Sequence, residues 1–583
     1  MLPQLPAIVQ VQHDKSRATR HNPGRFEGEV SLPPGPGLPP RSNALVRLRA
    51  RLAACDRYDL AVGALIAVLV VLVFATFDSY AISNDEEVQQ RYGELIIAYY
   101  ASGFTDQALF HYANLYLYGG LFDVLAVLAE RALPFIDPYT VRHLLSALIG
   151  IGGIAAAFGT ARLVAGPRAG AIAAFALAVC GPWYGSMFNH TKDIPFAAAM
   201  MGAIYFLCRA ARDLPRPRQR DVIGFGLLLG AALGIRVLGL LLIGYAGVVI
   251  LMRMQQVRAG PMRDRLSFFA QSVIALTPAF LIGYAIMIAA WPWSALAPLN
   301  PVRGLIDFGA FHYQIHTLLD GHVYEMGDVP RWYVPAYLMI KLPLIMLAGA
   351  AVALLFILGP ARPAPLPGHR SETALLAIVA FFPVICEVID RGPAFTGLRH
   401  FLFVVPVFAV LAGIGFDWLL VQCDASHRWL ANGAVAAIAA ALLWNASELV
   451  RLHPYQYLFY NPLVGGLEGA SGLYVTDYWV NIMPEAVDDL EAYVAKLDKK
   501  GNAAHLYTVA VCGERLPFEK EANPRLQWTE DWKKAEFYIA PTHMNCDHAL
   551  DGEVIATISR LGARIGVVKD RRILVQPTLA VHD

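Results

Sequence analysis

Residues 222–254 read VIGFGLLLGAALGIRVLGLLLIGYAGVVILMRM. A membrane-spanning helix needs about 20 apolar residues, so this run could supply one long span or two short ones. Arg236 divides it into 222–235 and 237–254. The choice sets the side on which every later segment emerges. Arg209, Arg212, Arg216, Arg218 and Arg220 precede the run, and Arg253, Arg258, Arg263 and Arg265 follow it. Cytoplasmic loops are enriched in Lys and Arg, so both sets belong on one side. Two spans with Arg236 at the outer tip satisfy that rule; a single span breaks it.

Further apolar runs lie at 58–78, 141–164, 168–184, 193–210, 268–291, 335–358, 373–390, 399–421 and 429–450, which makes eleven spans in all. The loop with Arg362 and Arg370 then falls on the same side as the basic N-terminal tail. This predicts a cytoplasmic N-terminus, a C-terminus outside, and a multi-pass protein of the plasma membrane, the inner membrane of a bacterium. Composition agrees. The 583 residues are 56% hydrophobic and 16% charged, against about 25% charged in soluble proteins, and the mean hydropathy is +0.46. A net charge of +1 argues against a nucleic-acid partner, which calls for a basic stripe.

The expected fold is an α-helical polytopic membrane protein with a small C-terminal extracytoplasmic α/β domain. Residues 1–57, with SLPPGPGLPP at 31–40, read as a disordered cytoplasmic tail. Residues 58–450 form the transmembrane domain, with outer loops at 79–140 and 292–334. The first loop holds two amphipathic stretches, 86–101 and 108–131, suited to helices in the interface; the second is rich in aromatics and histidine. Residues 451–583 combine a helical pattern (EAVDDLEAYVAKL, 485–497) with the strand-like runs HLYTVAVC, AEFYIAP and RILVQP.

The outer face carries the chemistry. In SNDEE (83–87), Ser83 and Glu86 have capping-box spacing, and acids suit a helix N-terminus. That accounts for Glu86 and Glu87 and leaves Asp85 either as part of the cap or as a general base. In FNHTKDIPF (188–196), Asp193 and Pro195 could simply open a helix. Alternatively His190 or Lys192 meets an anion oriented by Asp193, or His190 and Asp193 share a divalent metal. Arg236, Lys341, Arg391, Arg399 and His400 all sit at predicted outer span ends. Singly, each reads as a surface anchor; together they make a phosphate site, with Arg offering a bidentate fork and Lys a point charge.

A carboxylate, a set of cations and adjacent lipid suit transfer of a sugar from a polyprenyl-phosphate donor to a hydroxyl. The carboxylate takes the acceptor proton, and fixed cations stabilise the developing phosphate. A flippase or transporter of a lipid-linked glycan is the rival reading, but it would place its charges near the membrane midplane.

Several stretches carry a family likeness: NDEE (84–87), HTKDIPFA (190–197), LLLGAALGIRVLGLLLI (227–243), PRWYVPAYLMIKLPL (330–344) and LRHFLFVVPVFAVLAG (398–413), then HPYQYLFYNPLVGG (453–466) and TDYW (476–479). Their order over residues 58–450 and just beyond resembles the C-type membrane glycosyltransferases, in particular the branch of protein O-mannosyltransferases and bacterial lipid A aminoarabinose transferases. The resemblance implies that an acid of the first outer loop is the base, here Asp85 with Glu86 beside it. It also implies a charged residue where Arg236 stands. The expected partners are a polyprenyl-phosphate sugar donor, membrane lipid, and a glycan, lipid or protein acceptor. No cofactor follows with certainty; a divalent metal shared by His190 and Asp193 stays an alternative to the anion reading of those residues. Cys512 and Cys546 are the only cysteines of the outer domain; an oxidising compartment favours a disulfide between them, two free thiols being the alternative.

Overall fold

The computed structural model describes residues 56–256, 261–297, 299–309, 315–359, 369–390, 394–497 and 505–575. Nearly all of the expected N-terminal tail, and Arg391, lie outside them. The described residues fall into one compact unit.

The stretch 222–254 folds as two helices. Gln219–Leu233 ends at Gly234, Arg236 is extended (φ −141°, ψ 141°), and the turn Val237–Leu240 leads into Leu241–Gln256. The far ends of this pair come back together: Arg212 and Arg253 both bind Glu372, at 2.9 and 3.0 Å. The two basic loops therefore share one end of the bundle, as the charge argument requires.

Among the described residues, eight helices are long and apolar enough to cross a membrane. Two bent pairs could each make one more: Pro167–Ala178 with Gly181–Asn189, at 59°, and Tyr333–Lys341 with Leu344–Leu358, at 114°. The chain is a multi-pass membrane protein. The count differs from eleven at Gln219–Leu233. Its 15 residues extend about 22 Å, short of a hydrocarbon core of about 30 Å.

The helix Val405–Ser426 runs through the middle of one half, packed on Pro167–Ala178, Leu344–Leu358 and Pro138–Ala165. Asp193–Arg212 fills the middle of the other, between Pro138–Ala165 and Gln219–Leu233. Small residues allow the closest approach: a Cβ on Gly415 would run into the Gly349 backbone. Arg57–Thr76 and Arg428–Leu452 lie at the periphery with most of their surface exposed, the burial expected of lipid-facing helices.

The two loops expected on the outer face depart from expectation in detail. Glu86–Ala101 is helical as predicted, but 108–131 is not one helix. It forms two short 3-10 turns (Ala108–Phe110, Leu115–Leu117) and then the helix Leu121–Ala132. In the second loop, strands β1 (His316–Leu319) and β2 (His322–Glu325) pair through Asp320-Gly321, both at positive φ, the conformation that Asp-Gly favours in a two-residue hairpin.

The C-terminal region carries the helix Met483–Leu497 and strands β3 (Tyr507–Val511), β4 (Leu526–Trp528), β5 (Phe537–Pro541), β6 (Glu553–Arg560) and β7 (Ala563–Asp570), ordered β4-β3-β5-β7-β6. β3 is parallel to β4 and β5; β7 is antiparallel to β5 and β6. The run RILVQP is not a strand: Arg572–Val575 is a helical turn and the rest lies outside the described residues. Cys512 and Cys546 are disulfide-bonded, with Cα atoms 6.5 Å apart.

Candidate active site

The break at Arg236 is built by close backbone packing. The first outer loop lies against it, with Leu121 N–H donating to the Gly234 carbonyl (2.9 Å) and Gly120 N–H to that of Ala290 (3.0 Å). Gly119 makes this approach feasible, because a Cβ there would overlap the Gly234 carbonyl. Ion pairs link Arg236 to the start of Asp193–Arg212, that helix to the turn Arg399–Val404, and that turn to the start of Glu86–Ala101.

Four predicted residues meet at that point. Asp193 is almost fully buried, with one carboxylate oxygen on Arg236 and the other 3.0 Å from Arg399 Nε. A second nitrogen of the Arg399 guanidinium binds Asp85. Arg399 thus bridges the two aspartates. The Asp85 side chain remains 38% exposed, so it is the carboxylate of this cluster open to an incoming molecule. It stands at the N-cap position of Glu86–Ala101 but makes no side-chain cap hydrogen bond.

Glu86 points elsewhere. It is fully buried, with both oxygens near His143 Nε2, at 2.9 and 3.0 Å. The capping box is not formed either: Ser83 Oγ donates to the Asn189 carbonyl at 3.2 Å. Glu86 could satisfy the His143 ring from the helix start, whereas a reciprocal cap would have left that buried ring unpaired.

His190 is buried, its Nε2 2.9 Å from the Tyr478 hydroxyl and its Nδ1 3.8 Å from Asp193. Burial pushes its pKa down to about 3, with Asp193 opposing and Arg399 adding to the shift. The ring is neutral at physiological pH. Burial also lowers the pKa of Lys192. Its Nζ lies 4.5 Å above the Tyr118 ring. Lys341 Nζ donates to the Tyr457 carbonyl (3.1 Å) and faces the Tyr460 ring at 3.8 Å. His400 stacks edge-on to Phe395.

The metal reading finds no donor set. Asp193 is taken up by two guanidiniums, and among the described residues no group of three or more His, Cys, Asp or Glu could hold an ion.

Residues given no role of their own from the sequence complete the site. Arg142 is fully buried on Asp123, 3.2 Å from both Gln89 Oε1 and Thr191 Oγ1. An Arg inside an apolar run is costly unless paired, and that was the available signal. Trp479 lies over the Arg399 guanidinium at 4.3 Å.

The bundle also holds an apolar cavity of about 390 Å³, lined by Phe122, Ile149, Gly152, Pro195, Phe206 and Ile235 among others. Ile235 precedes Arg236, and Pro195 stands two residues after Asp193, on a different face of that helix. From Pro195 to Phe206 the lining follows one helix for about 16 Å.

No curated protein matches this chain. Among solved structures, the fold is similar to ArnT from Cupriavidus metallidurans bound to undecaprenyl phosphate: 14% identity over 88% of this chain and 98% of that one, TM-score 0.46. It is also similar to the archaeal oligosaccharyltransferase AglB from Archaeoglobus fulgidus, at 14% identity over 83% and 69%, TM-score 0.41. The S. cerevisiae protein O-mannosyltransferase complex Pmt1-Pmt2 is similar at 15% identity over 48% and 42%, TM-score 0.32. Residues 136–288 match the family model of dolichyl-phosphate-mannose-protein mannosyltransferases, a stretch that holds Arg142, His190, Lys192, Asp193, Arg236 and most of the cavity lining.

Proposed function

We propose that this protein is a membrane glycosyltransferase that moves a sugar from a polyprenyl-phosphate donor to an acceptor hydroxyl at the outer face of the membrane. The observation that carries the reading is the Asp85–Arg399–Asp193–Arg236 cluster at the ends of apolar helices, in a bundle that also holds an apolar cavity lined in part by the helix Asp193–Arg212. A polyprenyl tail fits the apolar part, and its phosphate reaches the cations. The donor family of the matched model, a dolichyl-phosphate sugar, has the same amphipathic form.

In this mechanism the acceptor oxygen attacks the anomeric carbon, and the acceptor proton passes to Asp85. The bond between that carbon and the phosphate oxygen breaks, and polyprenyl phosphate leaves with the electron pair. Lys192, Arg236 and Arg399 stabilise its growing charge. Arg399 binds Asp85 directly, so a donor phosphate that draws Arg399 toward itself also frees the base. Lys341 contributes longer-range positive potential. The sugar is a hexose or a pentose, and the acceptor a glycan, a lipid or a protein.

Gly152 lines the cavity, and a Cβ there would meet nothing within 4 Å. Gly152→Leu therefore fills the cavity without a backbone clash. It is expected to weaken polyprenyl-phosphate binding and donor use while leaving the thermal midpoint unchanged. Unaltered binding in a folded Gly152→Leu protein would remove the cavity from the donor site.

A further inference from the structure

The turn Thr476–Asn481 belongs to the C-terminal region, yet its side chains reach the charged cluster. Asp477 is fully buried and accepts from Asn481 N–H (2.9 Å), Ile482 N–H (3.1 Å) and the Tyr457 hydroxyl. Such a knot fixes the turn. Val480 has φ 58°, a left-handed conformation that a β-branched residue adopts only where its surroundings over-determine it. Gly513, just past β3, lies next to Val480: a Cβ built on it would come 3.1–3.4 Å from the valine side chain.

Two adjacent rings project from this strained turn. Tyr478 meets His190 Nε2 at 2.9 Å. Burial raises its phenol pKa well above the usual range, so the hydroxyl stays protonated and can donate to His190. Trp479 covers the Arg399 guanidinium at 4.3 Å and touches the His190 ring edge-on at 5.5 Å. The two residues they contact, His190 and Arg399, both flank Asp193.

We propose that this turn is part of the reaction centre, with Trp479 as the positioning residue of Arg399 and Tyr478 as that of His190. The proposal rests on the glycosyltransferase reading above. Stacking on Trp479 leaves the guanidinium edge free to span Asp85 and Asp193, so Arg399 is aligned before the donor arrives. The C-terminal region then completes the site rather than decorating it.

The test compares wild type with Trp479→Leu, Trp479→Phe and Tyr478→Phe in the full chain, using an undecaprenyl-phosphate-linked sugar as the turnover probe and undecaprenyl phosphate as the binding probe. Loss of a desolvated cation–π contact in Trp479→Leu should lower kcat about ten-fold or more. Its thermal midpoint should stay within error of wild type, and Trp479→Phe should recover most of the loss. Tyr478→Phe should lower kcat with little change in donor KM. Binding of undecaprenyl phosphate should alter the fluorescence of wild type, with the difference removed in Trp479→Phe. Wild-type kcat in Trp479→Leu, or equal losses in the Leu and Phe variants tracking a lowered thermal midpoint, would overturn the proposal and leave the glycosyltransferase reading intact. A folded wild type that neither turns over nor binds the probes would overturn both.

Discussion

At the scale of single residues, the account turns on which carboxylate is open and which cations are already paired. Asp85 is the partly exposed acid, whereas Asp193 is sealed between Arg236 and Arg399. Asp85→Asn is therefore expected to lower turnover by about 10²–10⁴ while donor binding persists, measured by single-turnover kinetics and a separate binding assay. Normal turnover in Asp85→Asn with a dead Asp193→Asn would move the base to Asp193. Arg399→Lys keeps the charge but cannot span two carboxylates with a planar fork. It should lose at least ten-fold in kcat/KM. The sequence pointed to Asp85, Asp193, Arg236 and Arg399 because charged residues at apolar span ends need a reason. It misplaced Glu86, whose helix-capping spacing was real but whose side chain found a stronger partner in buried His143. Arg142 went unread, although its partner Asp123 lies only 19 residues away.

Elements explain why these residues meet. The 222–254 stretch was legible as two helices because basic loops at both ends had to share a side, and Glu372 joining Arg212 to Arg253 shows that they do. Strands β6 and β7 were missed. Their hairpin turns at Leu561-Gly562, both at positive φ, and nothing but Gly562 marks that turn in the sequence. The run RILVQP was apolar enough for a strand, but Asp570 caps a helical turn there by accepting from Arg572 N–H. The first outer loop is held to the bundle by the Asp123–Arg142 pair. Removing one member of a buried ion pair typically costs about 3–5 kcal/mol. Asp123→Ala should therefore show a clearly lowered thermal midpoint in detergent, whereas a change of the exposed Glu94 should not.

For the whole molecule, the reading assigns the C-terminal region and the charged cluster to the same outer side of the membrane. The Cys512–Cys546 bridge closes a 34-residue separation, long enough for about 3–4 kcal/mol of stabilisation. In protein denatured without reductant from intact membranes, both thiols should resist labelling until reductant is added; labelling of both beforehand would argue against the bridge and the assigned side. The central claim, sugar transfer from a lipid phosphate at the Asp85–Arg399–Asp193 cluster, is tested most directly by release of free polyprenyl phosphate. Purified wild type and Asp85→Asn are each given a polyprenyl-phosphate sugar labelled in the lipid, together with envelope extract as the acceptor source. The account predicts acceptor-dependent release of labelled polyprenyl phosphate by wild type, and a rate at least a hundred-fold lower from folded Asp85→Asn. Equal release by both proteins, or none by folded wild type that binds the donor, would contradict it.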